Sequence, residues 1–171
     1  MVMIKSIVMV LLTMTMFSGS QKPDMTTYRS LMDKSVNDEK IAKQFYSLTN
    51  RIQISDEPVI VGVKAMSELI MCKHVFNPVS KISHFNRGKK LLDNAISRST
   101  TNPELLFFRF ATQSNVPALL NYNANLQADK LILISYLKVK TSDTDLHNRI
   151  RSYMLQNKYC NAREKELIKT L

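Results

Sequence analysis

The chain has 171 residues, with 24 Lys plus Arg against 14 Asp plus Glu, two Cys, no Trp and three Gly. So few glycines exclude phosphate-cradling loops, dinucleotide fingerprints and tight β-hairpins, which place glycine where φ is positive or a ligand comes close. An apolar fraction of 44% and this length fit one domain burying roughly two-thirds of its unfolded surface, and a formal net charge of +10 points to an anionic partner.

Lys5 precedes an apolar run from Ile7 to Phe17, and the small residues Ser18, Gly19 and Ser20 follow. This is the three-part secretory pattern, with a run too short to cross a bilayer that needs roughly 20 apolar residues. Residues 1–20 are expected to be a signal peptide and residues 21–171 a single α-helical domain, soluble and exported to the periplasm or beyond. Cys72 and Cys160 are the only cysteines. Export makes a disulfide between them chemically possible, while the setting SELIMCKHV suits Cys72 as a small buried thiol.

Helical spacing then recurs along the chain. Tyr28, Leu31, Met32 and Val36 share a face in a first helix, Thr26 to Ser35, and Ile41, Phe45, Leu48 and Ile52 share one in a second after the Asn37-Asp38-Glu39 cap. Ser55 to Pro58 starts a third, an apolar helix over about 58–75; its VIVGV stretch has strand composition but no partner strand. Asn77-Pro78 breaks the chain, and Lys81 to Ser99 restarts with Ile82, Phe85, Gly88, Leu92, Ala95 and Ile96 along one stripe. Thr101 to Glu104 holds two alternative start signals, a Thr101/Glu104 capping box and an Asn102-Pro103 cap, ahead of a buried helix over Leu105 to Gln113. Asn115 to Asn125 reads as a loop with one turn near Ala118. Leu126 to Val139 is helical, with Leu126, Leu131, Ile134 and Leu137 on one face. Thr141-Ser142-Asp143 caps a helix carrying Leu146, Ile150, Tyr153 and Met154, and Asn161 with Glu164 caps a terminal helix carrying Leu167, Ile168 and Leu171. The expected architecture is all-α, seven or eight helices packed as antiparallel hairpins.

Gly88, Leu92 and Ala95, a small residue, a large apolar one and an alanine at steps of four and three, resemble the second helix of a tetratricopeptide unit. The family's turn proline would fall near Thr100 and is Pro103 here, and no 34-residue period repeats along the chain. The resemblance implies a partly tetratricopeptide-like helical-hairpin protein. The run NPELLFFRFATQSNVPALLNY, with Asp129-Lys130, is also similar to small exported helical proteins of bacteria that lend no activity.

His74, His84 and His147 sit in no motif with a nucleophile, and Cys72 and His74, two apart, fall on different helix faces. Metal spacings such as CxxC and HxxxH are absent, so no catalytic residue, metal or cofactor is expected. Charge is more informative. Residues 21–60 carry six basic and six acidic side chains, 61–137 nine and four, and 138–171 eight and four. The excess therefore lies beyond residue 60, where Arg87, Lys89, Lys90, Lys138, Lys140, Arg149 and Arg151 can form a basic face for a protein or an anionic envelope component. Export argues against nucleic acid. Arg109 lies within LLFFRFA, where a guanidinium needs a carboxylate such as Asp93 or Asp129, or an anionic ligand. The leading expectation is a non-catalytic interaction or polyanion-binding module. The alternative is a small helical enzyme or ligand-binding protein with its site around Arg109.

Overall fold

The computed structural model describes residues 24–171, and the expected signal peptide over residues 1–20 lies outside them. Eight α-helices follow in order among the described residues: α1 (Met25–Ser35), α2 (Glu39–Thr49), α3 (Pro58–His74), α4 (Pro78–Arg98), α5 (Pro103–Asn115), α6 (Leu126–Leu137), α7 (Thr144–Gln156) and α8 (Ala162–Lys169), with one 3-10 turn at Ala118–Leu120. The all-α single domain is as the spacing predicted.

The starts are set by local chemistry. Asp24, Asp38, Asn77, Asn102, Asp143 and Asn161 each accept hydrogen bonds from the first-turn N–H groups of the helix they precede. Pro occupies the first turn of α3, α4 and α5, where its missing N–H has no intrahelical partner to lose. Asn77-Pro78 therefore opens α4, three residues before the expected start at Lys81. Ahead of α5, Asn102 is the cap, and the Thr101/Glu104 alternative is not used. Asn161 and Glu164 form the reciprocal capping box of α8.

The register between helices can be read from their polar contacts. Along α3 and α4, Cys72 meets the Lys81 carbonyl, Glu68 meets His84 and Arg87, and Gly88 lies against Ala65 and Leu69. Arg98 then reaches the carbonyls of Ile54 and Asp56 just before α3. One helix descends as the other rises, so the pair is an antiparallel hairpin. Along α2 and α3, Lys64 meets the Asn50 carbonyl, Thr49 meets Ser67, Tyr46 meets Glu68, and Asn37 meets Lys73, again antiparallel. α5 instead runs parallel to α3: Gly62 lies against Leu105 and Phe108, and Met66 against Thr112.

The core is continuous through these layers. Tyr28, Phe45, Val61, Leu92, Leu105, Phe110, Leu133, Ile150, Met154 and Ile168 are among its fully buried large side chains. Gly88, Leu92 and Ala95, the positions that carry the tetratricopeptide resemblance, are all buried on the α4 face turned to the core. Four expected core positions are not. Val36, Ile82, Leu131 and Leu167 are exposed, and the buried face of α6 is Leu126, Asp129, Lys130, Leu133, Ile134 and Leu137, with two charged residues in its middle.

Candidate functional site

Most of the basic residues singled out by sequence are held by the protein itself. Arg87 donates to both carboxylate oxygens of Glu68 at 3.0 Å, and His84 Nδ1 lies 2.6 Å from the same carboxylate. Glu68 is buried on α3, so this cluster satisfies one inward carboxylate and fastens α4 to it. Lys89 pairs with Asp93 at 2.7 Å. Arg149 bridges Asp145 and Asp33, and Arg151 donates to the Ile168 and Lys169 carbonyls at the end of α8. Lys90, Lys138 and Lys140 are exposed and make no ion pair among the described residues.

Arg109 finds the carboxylate partner it requires. Its Nε and Nη2 each donate to Asp129 at 2.7 Å, and Asp129 is buried on α6. Beside this pair is a cleft of about 440 Å³ between α4, α5 and the loop that leads into α6. Its polar lining includes Lys89, Asp93, Arg109, Gln113, Tyr122 and Asn125. Tyr122 donates to Asp93 at 2.9 Å, and the Lys89 ammonium lies 5.0 Å from the centre of the Tyr122 ring. Burial, with Asp93 beside it, pushes the Tyr122 hydroxyl well above its ordinary pKa, so it remains a protonated donor. Asn121, with φ 45°, turns the chain into this position, a left-handed conformation that asparagine tolerates.

The second feature is one end of the bundle. Lys73 Nζ donates to Asn37 Oδ1 at 2.9 Å, and His74 Nε2 donates to the Ser35 carbonyl at 2.7 Å. These bonds set the α1–α2 turn beside the α3–α4 turn. Phe76 is 94% exposed there, Val79 74% and Ile82 55%, and Val36 is exposed on the adjoining turn. Lys34, Lys40, Lys73 and Lys81 are exposed around them. The nearby acids are engaged elsewhere: Asp38 caps α2, Glu39 pairs with Lys43, and Asp33 with Arg149. The result is an exposed apolar cluster with cations at Lys34, Lys40 and Lys81 that make no ion pair among the described residues. Sequence reasoning missed it because Ile82 shares the spacing of the buried α4 stripe, yet it is exposed.

Nucleophile chemistry finds little support in the geometry. Burial pushes the Cys72 thiol up to about 11 and the buried Cys160 thiol upward as well, which leaves both protonated at neutral pH. Both are free cysteines. His74 and His147 bond main-chain carbonyls rather than a hydroxyl or thiol. Among the described residues no group of three His, Cys, Asp or Glu side chains is placed to hold a metal ion, and no helix is long and apolar enough to cross a membrane. Compared with protein-family models, curated proteins and solved structures, the chain finds no match.

Proposed function

We propose that this is a non-catalytic, exported protein that docks peripherally on an anionic bilayer through the α1–α2 and α3–α4 turns. Export rests on the secretory pattern of residues 1–20. The observation that carries the docking is the tip itself, where Phe76, Val79 and Ile82 stand in solvent beside the exposed lysines 34, 40, 73 and 81. An exposed apolar cluster rimmed by charge marks an interaction surface. A handful of exposed apolar side chains favours a soft interface over a folded protein, because a stable protein contact needs about 800 Å² per partner of well-matched surface. A bilayer needs no such match: apolar side chains enter the headgroup region, and each nearby Lys adds about 1 kcal/mol of attraction to anionic lipid. This moves the anion-binding role from the distributed basic residues expected from sequence to one end of the bundle.

Co-sedimentation with vesicles tests it, comparing phosphatidylglycerol mixed into phosphatidylcholine with phosphatidylcholine alone, at low and raised salt. Binding should need the anionic lipid and weaken with salt. Phe76→Ser should reduce partitioning about tenfold, since burying Phe contributes roughly 1.5 to 3 kcal/mol, and Lys81→Glu should reduce it and flatten its salt dependence. Both positions are exposed, so the circular dichroism should be unchanged. Equal binding of Phe76→Ser, or a tip that recruits only a protein and no vesicle, overturns the bilayer reading.

A further inference from the structure

The cleft between α4, α5 and the loop before α6 lies apart from the tip and has a feature that packing does not account for. Gln113 is 2% exposed, it lines the cleft, and its Oε1 has no hydrogen-bond partner. A buried carbonyl left unpaired costs about 1 to 3 kcal/mol, so such groups are rare in native interiors and call for a reason. Nearby, Arg109 spends Nε and Nη2 on Asp129, and its Nη1 makes no hydrogen bond among the described residues. The cleft is thus flanked by an idle acceptor, turned away from solvent, and an idle donor.

Its charge and size narrow what fits. Lys89 is balanced by Asp93, and Arg109 by Asp129. A cleft with no net charge is poorly suited to a polyanion, and about 440 Å³ lies at the small end of ligand sites. A sugar would stack on an open aromatic face. The Tyr122 ring is already under the Lys89 ammonium and meets the edge of Phe85 at 5.9 Å. A solute with its own cation and anion matches what is left.

We infer that this cleft binds a small zwitterion of the amino-acid or dipeptide class, its carboxylate on Arg109 Nη1 and its ammonium on the Gln113 carbonyl. Seating it turns the Gln113 carboxamide about its terminal side-chain torsion, which is soft. Asp93 and Lys89 on the rim add longer-range attraction to the ammonium and the carboxylate respectively. No bond is made or broken.

Isothermal titration of the whole protein tests this, with glycine, L-alanine, L-serine and glycylglycine as probes and with glucose, acetate and ethylammonium as single-function controls. The zwitterions should bind and the controls should bind at least tenfold more weakly. Gln113→Met removes the acceptor at similar volume and should weaken zwitterion binding about tenfold, with an unchanged or raised Tm because the orphaned carbonyl is gone. Arg109 is a poor first variant, since its loss strands buried Asp129. Lys89→Met keeps the fold and tests the rim, with an expected loss of a few fold. Binding of glucose in preference overturns the ligand class. No binding to the folded wild type, or binding that Gln113→Met leaves untouched, overturns the site.

Discussion

Replacing Arg29 by Met would strand Glu104, a buried carboxylate that receives the guanidinium Nε and Nη2 hydrogens at 2.7 and 2.8 Å. Breaking one side of a buried pair costs about 3 to 5 kcal/mol, chiefly through the charge left behind. Arg29→Met should lower stability by that amount in urea denaturation, and Arg29→Met with Glu104→Leu should recover most of it. The same guanidinium also donates to Asp143 and Asp145 and holds the Asp143 carboxyl below its usual range. A depressed folded-state pKa stabilises fully above the unfolded value, roughly 3.9 for Asp, and that contribution is lost as pH falls through the folded value. The gap between wild type and Arg29→Met should therefore narrow on acidification below about pH 4, measured as the urea midpoint against pH.

At the level of elements, the glycines divide by what faces them. A Cβ at Gly88 would lie 2.6 Å from Leu69 Cγ and 3.0 Å from the Ala65 carbonyl oxygen. The backbone oxygen cannot move without shifting α3. At Gly62 the obstacle is Leu105 Cδ2, the far end of a side chain that can rotate. Alanine gains about 1 kcal/mol of helix propensity at either site, so the net sign depends on the neighbour. Gly88→Ala should be destabilising by about 1 to 3 kcal/mol, Gly88→Leu by more, and Gly62→Ala by less than Gly88→Ala. Equal denaturation midpoints for Gly88→Ala and Gly88→Leu would refute the close α3–α4 crossing.

Much of this level is legible in sequence, because caps, prolines and apolar spacing act locally. Asn102-Pro103 and the Asn161/Glu164 box fix helix starts whatever the helices pack against. Burial is decided by neighbours and is less legible. On α6 the periodic face passes through Asp129 and Lys130, which are buried because Arg109 answers one and Glu164 with the Tyr159 carbonyl answers the other. Reading apolar residues alone selects Leu131 instead, which faces solvent. The Arg109–Asp129 pair could be anticipated from a cation amid apolar neighbours. Arg29 and Glu104 gave a weaker cue, Arg29 lying next to the Tyr28 and Met32 face and Glu104 passing for a capping residue. The cleft was hinted at only through Arg109, since nothing local to Gln113 marks its carbonyl as unpaired.

For the molecule as a whole, the core supplies cohesion without a covalent staple. Cys72 and Cys160 are both free, so a reducing agent should leave Tm unchanged. Alkylation of the folded protein at neutral pH should be slow, should speed up for Cys72 as pH approaches about 11, and should reach both thiols only after unfolding, as read by intact mass. A Tm that falls on reduction would show a bridge between them. Part of the charge of the molecule is spent internally: Arg29, Arg87, Arg109, Lys130 and Arg149 tie helices to one another, and the cations left for an anionic surface are chiefly exposed lysines.

The Arg29 hub also bears on the order of events in folding. Its bonds span 75 residues to Glu104, 114 to Asp143 and 116 to Asp145, whereas the closest helix packing joins neighbours such as α3 and α4. Contacts close in sequence form with little loop-closure cost, and distant ones come late. A bond absent from the transition state acts as a latch, slowing escape from the native state without hastening arrival. Stopped-flow kinetics of Arg29→Met should accordingly show faster unfolding with a nearly unchanged refolding rate, making this one arginine a determinant of the native lifetime.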